Sequence, residues 1–230
     1  MLKHYLDNSP SKIATIGVIL CCWLLSLATP RLLANLYTLY PDTVSQQINK
    51  EFTSNVYEIC INDINKSINL INDSKNSDLL SLFYLKLYDI TPREKFTIRH
   101  DILQKSYEAL IQSLSINPIS PSDWLQLASL NSQLNKPNQT IISALRLSFY
   151  TGPVEPELTL DRLKFSYKYY ADFDDEMRNL FNYQLIVLWN LYPAELVKFV
   201  KTHPDSKSIA LNALINSPEA LENLSKALNP

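Results

Sequence analysis

Glycine is almost absent from this chain, which has only Gly17 and Gly152 in 230 residues. Glycine allows the positive backbone φ angles and the close backbone approach on which tight β-hairpins and phosphate-binding loops depend. The P-loop, the dinucleotide-binding turn and the nucleophile elbow each need glycines at fixed spacings, so none of them can be built here. The scarcity therefore favours helices joined by short turns over a layered α/β fold.

Proline marks the predicted helix starts. The segments 91–94 (Thr-Pro-Arg-Glu) and 120–123 (Ser-Pro-Ser-Asp) share a hydroxyl that can cap backbone N–H groups, a proline for the first helical position and an acidic residue. Between such starts, apolar residues recur at intervals of three and four, which is typical of helices. The spacing over 43–72 predicts one long helix or a broken pair. The helices predicted after it are 79–88, 92–116, 121–134, 138–150, 156–170, 174–191, 193–202, 206–215 and 218–228.

A run without charged side chains lies near the N-terminus, at residues 13–30. As a helix it would cover roughly 27 Å, close to the thickness of the apolar part of a bilayer. We therefore expect a transmembrane anchor over 13–33. A leader over 1–12 would precede the anchor, and a linker over 34–42 would follow it.

The basic residues around this run predict its orientation. Lys3 and Lys12 precede it, whereas Arg31 is the one basic residue close behind it. The positive-inside rule then places the leader in the cytoplasm and the larger domain outside, in the periplasm of a bacterium whose inner membrane is spanned once. Two alternatives stay open: a signal peptide cleaved after Ser26-x-Ala28, and a buried helix of a soluble protein.

Charge and cysteine content argue against several other kinds of function. Acidic residues outnumber basic ones by 23 to 21, so no basic surplus favours nucleic acid as a partner. Cys21 and Cys22 lie in the apolar run and leave Cys60 alone, which gives neither a disulfide framework nor a zinc pair. The acidic cluster at 172–176 lacks the glycine of a calcium loop and suits a helix start. We therefore expect no catalytic residue, no cofactor and no metal site.

Residues 109–128 resemble the boundary between two tetratricopeptide repeats. Small residues on one predicted helix are followed by Pro118, Trp124 opens the next helix six positions later, and Leu127 and Ala128 follow at the third and fourth positions. In such repeats small residues let paired helices approach, and the bulky residue fills the gap between neighbours. A generic helical bundle is the alternative interpretation of the same spacing.

The fold class that follows is all-α, with one transmembrane helix followed by a tetratricopeptide-like helical-repeat domain. The helical domain is expected over 43–230, and its degenerate repeats over about 93–170. Helical repeats act by presenting extended surfaces to other proteins. We therefore expect binding rather than turnover.

A second pattern covers about a third of the chain, residues 124–193. It consists of Trp124, Leu127-Ala128, Ala144-Leu145-Arg146-Leu147-Ser148, Thr151-Gly152-Pro153, Glu155-Pro156, Leu158, Arg162, Trp189 and Pro193. By these residues the region resembles the VpsP-like polysaccharide biosynthesis proteins, which are small single-span, tetratricopeptide-like bacterial proteins associated with exopolysaccharide biosynthesis. The resemblance implies an accessory role in surface polysaccharide assembly and export, with the envelope polysaccharide machinery as partner, and it implies no catalytic residues.

Four residues form the candidate surface for a partner or a ligand. Two arginines flank the Thr-Gly-Pro turn and could hold an acidic group, and two aromatic residues could stack on a sugar ring. Pairing of the arginines within the chain, with Glu155, Glu157 or Asp161, is the alternative. The candidate residues are Trp124, Arg146, Tyr150 and Arg162.

Other functions and other roles for these residues stay open. A scaffold for envelope assembly or protein secretion would use the same fold. A helical glycan-cleaving enzyme would need two carboxyl groups in a cleft, which Glu155, Glu157 and Asp161 could supply. The tyrosines at 167–170 could bind a glycan or pack between helices. Gly152 is expected in a turn that needs no side chain.

Overall fold

The computed structural model of the protein describes residues 9–47 and 50–228, and within these ranges every regular element is helical. The chain divides into two compact units, Met1–Ala109 and Leu110–Pro230, and the division falls inside one helix. The α-helices are α1 (Ser9–Ser45), α2 (Ser54–Leu70), α3 (Ser74–Ile90), α4 (Phe96–Ile116), α5 (Pro121–Gln133), α6 (Asn138–Thr151), α7 (Pro156–Tyr167), α8 (Asp175–Leu191), α9 (Pro193–Thr202), α10 (Lys207–Ala213) and α11 (Pro218–Leu228).

The apolar run near the N-terminus and the first unit share one helix. α1 passes through Pro30 and Pro41 and ends at Ser45, although proline removes a backbone hydrogen bond inside a helix. The helix therefore includes residues 34–42, the segment for which the sequence predicts a linker. The predicted helix or broken pair over 43–72 is replaced by the last residues of α1, which ends at Ser45, and by the single helix α2, which begins at Ser54.

One face of the C-terminal part of α1 packs in the first unit, which explains why this part is helical. Ala34, Thr38 and Val44 are between 3% and 6% exposed, and their spacing places them on one side of the helix. The Ser67 hydroxyl of α2 donates to the Ala34 carbonyl oxygen at 3.0 Å. The same hydroxyl accepts a hydrogen bond of 3.0 Å from the Asn76 side chain of α3. These two bonds join the first three helices.

The core of the first unit lies between α2 and α3. Cys60 is fully buried there, and burial, together with the nearby Asp63 carboxylate, raises the pKa of its thiol to about 11. The thiol is therefore protonated at neutral pH and unreactive. The core consists of Val44, Tyr57, Cys60, Ile61, Ile64, Leu79, Leu80, Phe83 and Ala109.

In the second unit, helices begin where a local cap was predicted. The Ser120 hydroxyl accepts from the Asp123 backbone N–H at the start of α5, with Pro121 in the first position. The Asp174 carboxylate accepts from the Met177 N–H at 2.8 Å at the start of α8. The bounds of α5, α6, α8 and α9 differ from the predicted ones by no more than one residue at either end.

The helix start predicted at Pro92 is wrong, since α4 begins at Phe96. Thr91 instead ends α3. The Arg99 guanidinium donates to the carbonyl oxygens of Tyr88 at 2.7 Å and Thr91 at 2.5 Å. The Thr91 hydroxyl, the predicted cap, instead donates to the Leu87 carbonyl oxygen at 2.6 Å, so it belongs to the end of α3 and a turn separates α3 from α4.

Candidate functional site

Trp124 lies in the first turn of α5 and anchors the turn before that helix. Its indole Nε1 donates to the Pro118 carbonyl oxygen at 2.8 Å, and the ring is half-buried. The Ser113 hydroxyl of α4 donates to the Asp123 carboxylate at 2.8 Å, which holds the same turn from the other side. Trp124 thus has a structural hydrogen bond and a partly exposed ring, and its role as a partner-binding residue stays a prediction.

Arg162 is not at the surface, which corrects its placement among the candidate ligand-binding residues. Its side chain is fully buried, with 0% exposure. Nε donates to the Ser148 hydroxyl at 3.0 Å, and the two terminal nitrogens donate to the carbonyl oxygens of Ser148 and Gly152, each at 2.6 Å. The guanidinium therefore satisfies the last carbonyls of α6, and no ligand reaches it.

Burial changes the acid–base properties of Arg162 without removing its charge. Desolvation lowers the pKa of its guanidinium to about 10, and the nearby Glu155 carboxylate opposes that shift. The group therefore remains a cation at neutral pH. A cation at the C-terminal end of α6 also interacts favourably with the negative end of that helix.

Gly152 follows α6 directly, and a close approach explains its identity. Its φ of −153° and ψ of 80° do not require glycine. A Cβ at this position would lie 2.8 Å from Glu155 Cγ and 2.9 Å from the Pro121 ring. The expected turn role is thus refined: residue 152 has no side chain because α5 packs against its backbone.

Arg146 and Tyr150 lie on α6 and face the acidic residues at the start of α8. The Arg146 guanidinium lies 2.5 Å from the Asp174 carboxylate and 3.4 Å from that of Glu176. The Tyr150 hydroxyl donates to the Glu176 carboxylate. The predicted pairing of Arg146 within the chain therefore occurs with α8, and neither Glu155, Glu157 nor Asp161 is the partner.

These contacts shift the ionisation of two exposed groups. A hydrogen bond from the Met177 backbone, followed by one from Arg146, lowers the pKa of the Asp174 carboxyl below its usual value. The hydrogen bond to Glu176 raises the pKa of the Tyr150 phenol, although the ring itself is 51% exposed. Because two carboxylates already neutralise Arg146, an acidic ligand would have to displace them.

The tyrosines at 167–170 pack within the second unit. Tyr167 contacts the rings of Phe199 and His203, with centroids 5.8 Å and 5.2 Å away. Tyr170 lies 5.2 Å from the Phe181 ring, and the Tyr169 hydroxyl donates to Ser132 at 2.6 Å. This arrangement agrees with the packing interpretation.

The first unit contains an open groove near the end of α3. It has a volume of about 690 Å³ and lies beside the turn that the Arg99 side chain holds. Glu58 and Lys95 are its charged residues, and the apolar ones include Phe52, Ile90 and Ile98. In the described residues, no cluster of three or more His, Cys, Asp and Glu side chains could hold a metal ion.

The first helix has the length and composition of a membrane span. Residues Ala14–Ser45 are long and apolar enough to cross a membrane, and no residue of their most apolar 18-residue stretch is buried in the protein. A signal sequence has the same properties, so helix length and composition alone do not distinguish an anchor from a cleaved segment.

Comparison with known proteins bears on the fold. No family model and no curated protein sequence match this chain. The crystal structure of the protein MamA is similar to it, with a TM-score of 0.52 over 84% of this chain and 93% of that one, at 14% sequence identity. A likeness at so low an identity establishes the fold alone. The chain is thus an all-α protein with one long apolar helix near its N-terminus and a tetratricopeptide-like helical-repeat domain.

Proposed function

We propose that this protein is a membrane-anchored, non-catalytic scaffold that holds other proteins beside the membrane as an accessory factor in surface polysaccharide assembly. The observation that carries the proposal is the continuity of α1. An apolar helix with an unburied span-length window passes without a break into a helical-repeat domain. Such a protein concentrates its partners in the plane of one membrane.

The scaffold role is supported by the fold. Tetratricopeptide-like helical repeats bind other proteins through surfaces that several helices build together. In this chain, three side chains with charged or reactive groups have roles in the fold. Arg162 holds the end of α6, Arg146 joins α6 to α8, and Cys60 is buried as a protonated thiol.

The polysaccharide pathway and the location rest on sequence features. The resemblance of residues 124–193 to the VpsP-like proteins supports the pathway, with the envelope polysaccharide machinery as partner. Lys3 and Lys12 before the span, against Arg31 behind it, support a single pass through the bacterial inner membrane with the repeat domain in the periplasm.

Anchoring is tested by fractionation of cells that express the full chain. An anchored protein stays in the membrane pellet after alkaline carbonate and is released by detergent. Protease added to spheroplasts should digest the repeat domain and spare the leader. Recovery of the chain in the soluble fraction, with its sequence beginning near Thr29, would establish a cleaved signal peptide and overturn the anchor.

The pathway is tested in a deletion strain by measuring the amount and chain length of surface polysaccharide. Complementation would use three forms: the full chain, a chain with residues 13–30 replaced by an unrelated apolar helix of equal length, and residues 34–230 behind a cleavable signal. We expect the two anchored forms to restore the polymer and the soluble form to fail. Normal polymer in the deletion strain would overturn the polysaccharide role.

The identity of copurifying proteins separates this pathway from the related scaffold role in envelope assembly or secretion. After crosslinking in living cells, polysaccharide polymerases or export proteins should be enriched with the full chain. Enrichment of secretion or outer-membrane assembly components instead would move the scaffold to that pathway. The control is a protein with the same anchor and an unrelated domain.

A further inference from the structure

The apolar surface of α1 extends beyond the charge-free run. From Ile13 to Pro41, Arg31 is the only charged residue. Residues 13–41 would measure about 43 Å along the helix axis, whereas the hydrocarbon core of a bilayer is about 30 Å thick and the whole bilayer about 40–45 Å. The apolar part of α1 is therefore long enough to cross one headgroup layer as well as the core.

The additional length is apolar on one face only. Leu32, Leu36 and Leu39 follow one another at intervals of four and three residues, and their side chains are 61%, 53% and 60% exposed. Tyr37 and Tyr40 lie beside them and are 37% and 47% exposed. The opposite face is the one that packs in the first unit. A helix in water would normally carry polar residues on its exposed face.

The turn between α2 and α3 lies beside the charge-free run. An open groove of about 430 Å³ is lined by Ile71 from this turn and by Leu24, Leu27, Ala28 and Arg31 of α1. Leu70, the last residue of α2, is 38% exposed. If α1 is anchored as proposed, lipid around Leu24 and Leu27 would therefore also reach the end of α2.

The polar groups near this level suit the boundary between lipid and water. The Lys66 ammonium lies 5.3 Å from the centre of the Tyr37 ring and 2.9 Å from the Asp63 carboxylate. Tyrosine is enriched where membranes meet water, and lysine can keep its charged end in water there. The turn after α2 carries Asn72 and Asp73, polar side chains that headgroups and water accommodate and hydrocarbon does not.

From these features we infer that the first unit is seated in the headgroup layer of the bilayer, with the Leu32–Tyr40 face of α1 and the α2–α3 turn against lipid. This inference rests on the proposed anchoring and names the surface that covers the exposed face. The competing occupant is protein, either a second copy or another membrane helix. If the first unit is seated in the headgroup layer, no linker holds it away from the membrane.

The test measures depth by spin labelling in the full chain. Cys21 and Cys22 are changed to serine, whereas Cys60 is kept because it is fully buried. Single nitroxide labels are placed in separate variants, and the protein is reconstituted into vesicles of phosphatidylcholine and phosphatidylglycerol. Accessibility to oxygen, which concentrates in lipid, is compared with accessibility to a water-soluble nickel chelate. The labelled variants are Leu20→Cys, Leu36→Cys, Leu39→Cys, Thr43→Cys, Asn55→Cys and Leu70→Cys.

We expect the ratio of oxygen to nickel accessibility to fall in the order 20, 36, 39 and 43 along α1. Labels at 36, 39 and 70 should show a ratio several-fold above that at Asn55, the exposed control on the first turn of α2. Helical content by circular dichroism, matched to the parent chain, shows that each variant is folded. Thr43 is the matched control on α1, since it continues the Leu36 and Leu39 face by one turn.

Three outcomes would overturn the inference. If labels at 36, 39 and 70 match Asn55 while the label at 20 is in lipid, the anchor stands and the unit lies clear of the bilayer. If labels at 36 and 39 are shielded from both reagents, protein covers this face. If the label at 20 is itself in water, the proposed anchoring fails, and the seating of the unit fails with it.

Discussion

In the first unit, leucines lie on the outside of α1, whereas in the second unit a guanidinium lies inside. Leu36 and Leu39 are 53% and 60% exposed, and Arg162 is 0% exposed. The arginine is tolerated because three hydrogen bonds to Ser148 and Gly152 replace its water. No such contact replaces water at the leucines within the folded unit. A buried charged residue such as Arg162 thus indicates a structural role, whereas exposed leucines such as Leu36 and Leu39 indicate an environment outside the fold.

The largest effect is expected from removing the buried cation. Arg162→Ala leaves two carbonyls and a hydroxyl without donors and opens a cavity, so the free energy of unfolding should fall by about 3 kcal/mol or more. Urea unfolding of the full chain in detergent, followed by circular dichroism, measures this. Lys164→Ala, an exposed position on the same helix, is the control and should change little. A loss for Arg162→Ala no larger than the control's would refute the structural role.

A methyl group at each of the two glycines should act in opposite directions. Gly152→Ala places Cβ 2.9 Å from the Pro121 ring and should destabilise the protein by about 1–3 kcal/mol. Gly17→Ala has no atom within 4 Å and removes a helix-weakening residue, so stability should be unchanged or increased. The same urea measurement compares them. Equal losses at both sites would contradict the explanation by close approach.

The contacts between α6 and α8 should have a smaller effect, and one that depends on pH. The pKa of Asp174 is lower in the folded state, so its contribution is complete above its unfolded value of 3.8 and is lost as the pH falls through the folded value. Asp174→Ala should therefore lower the urea midpoint at pH 7. The difference from the parent chain should disappear in strong acid. A difference that stays constant with pH would show that Asp174 does not act through its charge.

The smallest effect on stability is expected at the exposed leucines. Leu36→Ser combined with Leu39→Ser changes side chains that are more than half exposed in the unit and should change the free energy of unfolding by no more than about 0.5 kcal/mol per site. Ala34→Leu, on the buried face of the same helix, overpacks the contact with α2 and should cost about 1–3 kcal/mol. Thermal unfolding in detergent compares the two. A large loss from the serine variant would place Leu36 and Leu39 in a protein contact.

The sequence predicted best what depends on neighbours in the chain. The starts of α5 and α8 were predictable because Ser120 and Asp174 cap helices that begin within three residues of them. The start of α4 was not, because the Thr91 hydroxyl donates to the Leu87 carbonyl oxygen and so belongs to the end of α3. A capping motif therefore predicts a helix only when its side chain is not engaged by the preceding helix.

The candidate site shows the same limit. Arg146 and Arg162 were predicted together because both flank one turn, yet one pairs with α8 and the other is buried. Two of the hydrogen-bond partners of Arg162 are backbone carbonyls, which are free to accept from a side chain only because α6 ends there. No spacing of residue types in the sequence predicts this pairing. That residues 34–42 continue the helix could not be predicted from the sequence either, because it depends on the packing of Ala34 and on the hydrogen bond from Ser67.

Because α1 runs from the apolar segment into the first unit as one continuous helix, a change in its tilt would also change the orientation of the first unit. In a protein anchored as proposed, a bilayer that thins or thickens changes the tilt of a spanning helix. Because Ser67 and Asn76 fasten α2 and α3 to α1, those helices would turn with it as a lever arm. The orientation of the first unit relative to the membrane plane would then depend on the thickness of the surrounding bilayer.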